Sequence, residues 1–308
     1  MKIVFMGTPG FAVPSLDALI DSEYEVVGVV TKADKPQGRG QRIESPPIKI
    51  LSQQYGIPVL QPEKLRSDEF FNELKIFNPD LICVTAYGKI LPKNVLELPP
   101  YGCINVHASL LPKYRGAAPI NWAIINGEKN TGVTTMLMDE GMDTGDILLQ
   151  REMPIDEEDT GETLSEKLSH IGAEVLIQTI KHLKEDRLTP IPQDHTKATY
   201  APVLKKEDGK IDWGKPAEDI KNLIRGNLPW PGAYTFLDGK NLKIYRAKVT
   251  KGKGTPGQVI TSTSKNLIIG TGYDALEIHE LQIEGGKRIT IEAFLSGRKI
   301  KVGIMLSS

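Results

Sequence analysis

Short apolar runs separated by stretches of helical spacing fill the first half of the chain, and no other feature restricts the fold as tightly. Residues 2–6 (KIVFM), 25–31 (EVVGVVT), 81–86 (LICVTA) and 103–108 (CINVHA) are strand-length and almost unbroken in hydrophobicity. Strands with one wet face alternate apolar and polar residues, whereas strands covered on both faces do not. Between them, Leu16, Leu19 and Ile20 recur at helical spacing behind Pro14 and Ser15. Residues 48–55 and 118–126 read as further helices, 58–60 as a short strand and 132–138 as another β run. The pattern predicts an α/β fold with a mostly parallel sheet between helices, a design that gathers functional side chains at the carboxyl ends of its strands.

The second half has another texture. An amphipathic helix is expected over about 162–184, with Leu164, Leu168, Ile171, Val175, Ile180 and Leu183 facing inward. Thr189-Pro190-Ile191-Pro192-Gln193 breaks that pattern and reads as a linker. Beyond it come one helix (217–225) and β runs at 234–237, 242–249, 258–261, 267–270 and 276–283, with Asp238-Gly239 and Gly285-Gly286 as hairpin turns. Many short strands with regular turns predict a small β-barrel of the OB type, a common nucleic-acid binder. The expected organisation is residues 1–189, a linker over 190–206, and a second domain over 207–308. At 308 residues the chain has room for two domains.

Charge follows the same division. Of 38 Lys+Arg and 39 Asp+Glu, 18 and 11 fall from Leu204 onward, leaving 20 and 28 for the rest, so a basic module follows a more acidic body. No apolar run approaches the ~18 residues of a membrane span, and the N-terminal apolar stretch is short for a secretory signal. Cys83 and Cys103 sit inside apolar runs and read as buried thiols. A cytoplasmic, monomeric protein without membrane or metal partners is expected.

The residues with chemistry are few. Asn105 and His107 lie two apart on an apolar strand, so both side chains share a face. Residues 138–146, MDEGMDTGD, form a turn rich in carboxylates and glycines. An imidazole that accepts a proton, a carboxylate that stabilises the imidazolium and an amide that donates to an oxyanion suffice for acyl transfer without a covalent nucleophile. Spacing alone leaves the alternatives open: His107 as a satisfied core residue, Asp143 as a turn residue. Gly7-Thr8-Pro9-Gly10 lacks GxGxxG spacing, no Walker A sequence occurs, and no second His or Cys near His107 points to zinc.

Residues 105–122, NVHASLLPKYRGAAPINW, together with 138–146, closely resemble the two sequence blocks of the folate-dependent formyltransferases. The resemblance extends over nearly the whole chain. It implies a Rossmann-like N-terminal sheet that binds a formyl-folate, 10-formyltetrahydrofolate being the donor co-substrate. It also implies Asn105, His107 and Asp143 as catalytic residues, and Ser109, Leu110, Leu111 and Pro112 as the folate-contacting loop.

Family members formylate a glycinamide nucleotide, a nucleotide-linked amino sugar or methionyl-tRNA. Residues 31–49, TKADKPQGRGQRIESPPIK, resemble the insertion of the members that act on tRNA. Its Lys32, Lys35, Arg39, Arg42 and Lys49 outnumber Asp34 and Glu44, and its Gly and Pro content favours disorder without RNA. Lys35, Arg39 and Arg42 are the implied tRNA contacts. In the basic C-terminal half, Lys205, Lys206, Lys210, Lys243, Arg246, Lys248, Lys251 and Lys253 offer a phosphate-tracking field. The expected acceptor is therefore the α-amine of initiator methionyl-tRNA, with a nucleotide-linked amino sugar as the alternative.

Overall fold

The computed structural model describes residues 1–37 and 42–307, with backbone alone for Pro36, Gln37 and Arg42. The chain divides into two units: residues 1–119, 130–154 and 165–201 in one, and 120–129, 155–164 and 202–308 in the other. Up to residue 201 the elements run β1 (Lys2–Gly7), α1 (Val13–Ile20), β2 (Glu25–Val30), β3 (Lys35–Gln37), β4 (Arg42–Glu44), α2 (Pro47–Gln54) and β5 (Val59–Leu60). They continue with α3 (Asp68–Ile76), β6 (Leu81–Thr85), α4 (Lys93–Leu96), β7 (Cys103–His107), β8 (Arg115–Gly116), α5 (Pro119–Ile125), β9 (Asn130–Leu137), β10 (Ile147–Pro154), α6 (Gly161–Lys184) and β11 (Tyr200–Ala201).

Seven strands form the main sheet in the order β10-β9-β7-β6-β1-β2-β5. The pairs from β7 through β6, β1 and β2 to β5 are parallel, and β9 and β10 add antiparallel strands beyond β7. The unbroken apolar runs are covered on both faces, as expected: Ile3, Val4, Phe5 and Met6 are all fully buried. One face packs Val4, Met6, Ile82, Val84 and Cys103 against Phe70, Leu74 and Val95. Burial pushes the Cys83 thiol up, and the Cys103 thiol up to about 12, so both stay protonated and unreactive.

Several elements depart from the sequence reading. Helix α3 is announced by Ser67, whose hydroxyl accepts from the Phe70 amide, with Asp68 and Glu69 in the first turn. Strand β10 alternates partly buried and exposed residues at the sheet edge and was hidden by its charged positions, Arg151 and Glu152. The basic segment expected as an irregular loop contains the hairpin β3–β4, which pairs Lys35 with Glu44 and Gln37 with Arg42.

In the second unit, α7 (Ala217–Gly226) precedes β12 (Ala233–Leu237), β13 (Lys240–Thr250), β14 (Val259–Ser262), β15 (Leu267–Gly270), β16 (Ala275–Ile283), β17 (Ile289–Thr290) and α8 (Ile291–Gly297). Its strands pair antiparallel in the order β12-β13-β16-β15-β14, with β17 beside β16. The last residues join the two open edges: Ser307 exchanges hydrogen bonds with Phe236 of β12, while Ile304 and Leu306 bond Val259 and Gly257 at β14. That tail closes the sheet around Ile220, Ile224, Leu242, Ile244, Leu276 and Ile278. Trp213 is part of this core, its indole N–H donating to Thr235 Oγ1 at 3.0 Å, whereas Trp230 is 57% exposed. Among the described residues no helix is long and apolar enough to cross a membrane.

Candidate active site

Strand β7 places Asn105 opposite Val84 and Met136, and His107 opposite Thr134, on one face of the sheet. His107 is buried, and its Nε2 lies 2.9 Å from the Tyr114 carbonyl oxygen. A carbonyl only accepts, so Nε2 carries a hydrogen and Nδ1 is the atom left to gain or lose one. Nδ1 stands 3.6 Å from Asp143 Oδ2. The Asn105 side chain is partly buried, and among the described residues no hydrogen bond occupies its amide.

Two backbone conformations rarely adopted by side-chain-bearing residues build this arrangement. Tyr114 has φ of 59° and Asp143 has φ of 55°. A bulky residue in that region stores roughly 1–3 kcal/mol of strain and persists only where its surroundings fix it. The Tyr114 amide donates to Thr199 Oγ1 at 2.9 Å while its carbonyl receives His107. The Asp143 carboxylate accepts the Gly116 amide at 2.8 Å, and the turn before it is tied by Asp139 Oδ1, which accepts from Gly141 N and Thr144 Oγ1. A Cβ at Gly145 would overlap the Leu137 carbonyl oxygen, so that close approach requires glycine. The turn thereby returns its carboxylate to the β7 face that bears His107.

The loop behind His107 is equally fixed. Thr134 Oγ1 donates to Ser109 O at 2.6 Å and accepts from Leu111 N at 3.1 Å, while Gln150 Nε2 donates to Leu111 O at 2.8 Å. The buried Ser109 hydroxyl donates to Lys113 O at 2.7 Å. Leu110 and Pro112 are partly buried and Leu111 fully so.

The residues expected at RNA divide. Lys35 is exposed on β3, Arg42 is described as backbone in β4, and Arg39 lies outside the described residues. Lys49, counted with the basic arm, is paired with Asp34 at 2.8 Å, and Gln61 bonds both partners as well as Lys32 O. That cluster pins the base of the arm and holds the Asp34 carboxyl below its usual range through hydrogen bonds from Lys49 and Gln61. Partial burial, reinforced by Lys35 and Lys89, pulls the Lys32 ammonium down. Cations crowded in this way favour an incoming anion.

Two buried residues beside the site escaped the sequence reading. Arg115, inside the first block, is buried at 2% exposure, and it contacts Gln193, which by sequence reads as linker. No local sequence signal marks Gln193, because its partners are 48 to 78 residues away. Among the described residues no group of three or more His, Cys, Asp or Glu is placed to hold a metal ion.

Comparison with known proteins identifies the relatives of this arrangement. A formyl transferase family model matches residues 1–180, and that of the formyl transferase C-terminal domain matches residues 203–299. The methionyl-tRNA formyltransferase of Caldanaerobacter subterraneus is 56% identical over 309 residues, covering 99% of this chain and 100% of that protein. That of Citrifermentans bemidjiense is 52% identical over 306 residues, covering 99% and 96%. Among solved structures, a sugar 3N-formyl transferase, WlaRD, aligns with a TM-score of 0.67 at 20% identity, covering 93% of this chain and 99% of that one. HypX from Aquifex aeolicus aligns with a TM-score of 0.66 at 18% identity, but this chain spans only 50% of it. These two share the fold, while the full-length sequence matches carry the closer relationship. The chain belongs to the formyl transferase family.

Proposed function

We propose that the chain transfers the formyl group of 10-formyltetrahydrofolate to the α-amine of methionine on initiator methionyl-tRNA. The observation that carries the chemistry is the pair of facing acceptors, His107 Nδ1 and Asp143 Oδ2, beside the uncommitted amide of Asn105. Two acceptors 3.6 Å apart repel unless a hydrogen lies between them, and an amine N–H supplies one. The amine nitrogen attacks the formyl carbon, its C–N bond forms, and the carbonyl π pair moves to oxygen. Asn105 donates to that oxyanion. His107 Nδ1 takes the amine proton, and Asp143 stabilises the resulting imidazolium. The bond from formyl carbon to N10 then breaks, and the leaving nitrogen takes up the proton. His107 therefore works as a base first and a charge stabiliser second, with Tyr114 O holding the ring in place.

Ser109, Leu110, Leu111 and Pro112 are assigned to folate, the last three through backbone and apolar surface. Lys35, Arg39 and Arg42 are assigned to the acceptor end of the tRNA, with Lys49 as the anchor of the arm and not a phosphate contact. Residues 1–189 are assigned to the transfer and 207–308 to the basic RNA-facing surface, and of the 190–206 segment between them residues 190–201 pack with the first unit. All three catalytic side chains come from one polypeptide, so a monomer suffices, working in the cytoplasm where its translational substrate is made. The choice of acceptor is supported by 56% identity to a methionyl-tRNA formyltransferase along the whole chain, against about 20% to the sugar enzyme. The test is formyl transfer to methionyl-tRNA and to a nucleotide-linked amino sugar in parallel. Transfer to the tRNA with strong salt dependence is expected; transfer to the sugar alone would overturn the reading.

A further inference from the structure

The segment that reads as a linker carries a second layer of the site. Arg115 is the largest fully buried side chain of the described residues, and no carboxylate among them pairs with it. Its Nε and Nη2 donate to Gln193 Oε1 at 3.1 and 2.6 Å, and Nη2 lies 3.1 Å from His195 Nδ1. A guanidinium only donates, so it fixes which end of the Gln193 amide faces it and turns the NH2 group the other way. That NH2 group uses both hydrogens on the catalytic turn, donating to Asp143 O at 2.9 Å and Gly145 O at 2.7 Å. Gln193 is itself 6% exposed and is flanked by anchors. Ile191 bonds Ile147 in both directions, and Tyr200–Ala201 pairs with Arg115–Gly116. Asp143 is thus gripped at its carbonyl by Gln193 and at its carboxylate by the amide of Gly116, the residue after Arg115.

We infer that Gln193 is a positioning residue: with Arg115 it clamps the turn at Asp143 and Gly145, and so sets the Asp143 carboxylate against His107 Nδ1. This rests on the formyl-transfer reading for its kinetic consequence, but not for the clamp itself. A displacement of about 1 Å in such a group costs up to ~10²-fold in rate. The discriminating substitution is Gln193→Glu. It keeps an acceptor for the buried guanidinium, strengthening that contact, yet removes both N–H donors and sets a carboxylate against two carbonyls.

Two readouts separate the outcomes. In steady-state assays with methionyl-tRNA, Gln193→Glu is expected to lower kcat about 10–100-fold with both KM values within about twofold. Added to Asp143→Asn, it should cost less than about a further twofold, because residues acting as one unit are not additive. In hydrogen exchange, the peptide spanning 138–146 should exchange about tenfold faster than in the wild type while the main sheet is unchanged. Unaltered kcat, a change in KM alone, additive losses in the double variant or unchanged exchange would each overturn the clamp. Should Gln193→Glu fail to fold, Gln193→Met takes its place in both measurements. A wild type that transfers no formyl to methionyl-tRNA would count against the functional reading, and the exchange result would still decide the clamp.

Discussion

The β7 site and the basic arm at residues 31–49 are built on opposite principles. Around His107 nearly every polar atom is satisfied by the chain itself: Nε2 by Tyr114 O, Asp143 Oδ2 by Gly116 N, Leu111 by Thr134 and Gln150. The groups left open among the described residues, His107 Nδ1 and the Asn105 amide, are those the proposed transfer uses. Among the described residues of the arm, Asp34, Lys49 and Gln61 tie the base, and the Lys32 ammonium feels the like charges of Lys35 and Lys89. A site for chemistry is preorganised by internal bonds. A surface for a polyanion keeps its charges for the partner.

That contrast orders the effects of substitution. His107→Ala removes the proton acceptor and should lower kcat about 10³-fold or more, read by single-turnover formyl transfer, with folate affinity nearly unchanged. Asn105→Ala removes the oxyanion donor, for an expected loss of about 10²–10³ in kcat. In the arm, Arg39→Ala should leave kcat intact, weaken methionyl-tRNA binding about 3–10-fold and reduce the slope of log affinity against log salt by about one. A kcat loss there comparable to that of Asn105→Ala would erase the distinction between the two regions.

A smaller effect is expected at the anchor. Lys49→Met should raise the KM for tRNA about threefold by loosening the arm, with no change in salt slope, because its charge is already paired. The pH dependence has a definite sign. Asp34 is held below its usual pKa in the folded protein, so its ion pair adds stability above the unfolded-state value and loses it as pH falls through the lowered folded-state value. The anchor therefore stays intact from pH 5 upward, and tRNA affinity measured between about pH 5 and 8 should show no step from this group. Least of all, a thiol reagent at pH 8 should label neither cysteine in the native protein and both in denaturant.

The sequence was informative where structure follows from local pattern. Unbroken runs such as Val4-Phe5-Met6 demand cover on both faces, and the strand bearing Asn105 and His107 was readable because period two and apolar neighbours left a single face for both. Residues 267–270 and 276–283 were equally plain as barrel strands. What escaped was set by distant partners. Gln193 follows two prolines and looks like linker, yet Arg115 and the Asp143 turn give it its place. Closure of the barrel by Ser307 and Leu306 depends on edges formed by β12 and β14, which no window of sequence contains together. The Lys49–Asp34 pair likewise converted a basic count into an anchor.

The most direct test is single-turnover transfer of labelled formyl from 10-formyltetrahydrofolate to methionyl-tRNA by the wild type and by His107→Ala. Rapid transfer by the first and a loss of about 10³-fold in the second, with folate still bound, is the expected result. Undiminished transfer by His107→Ala would contradict the assignment of the reaction to the His107–Asp143 pair.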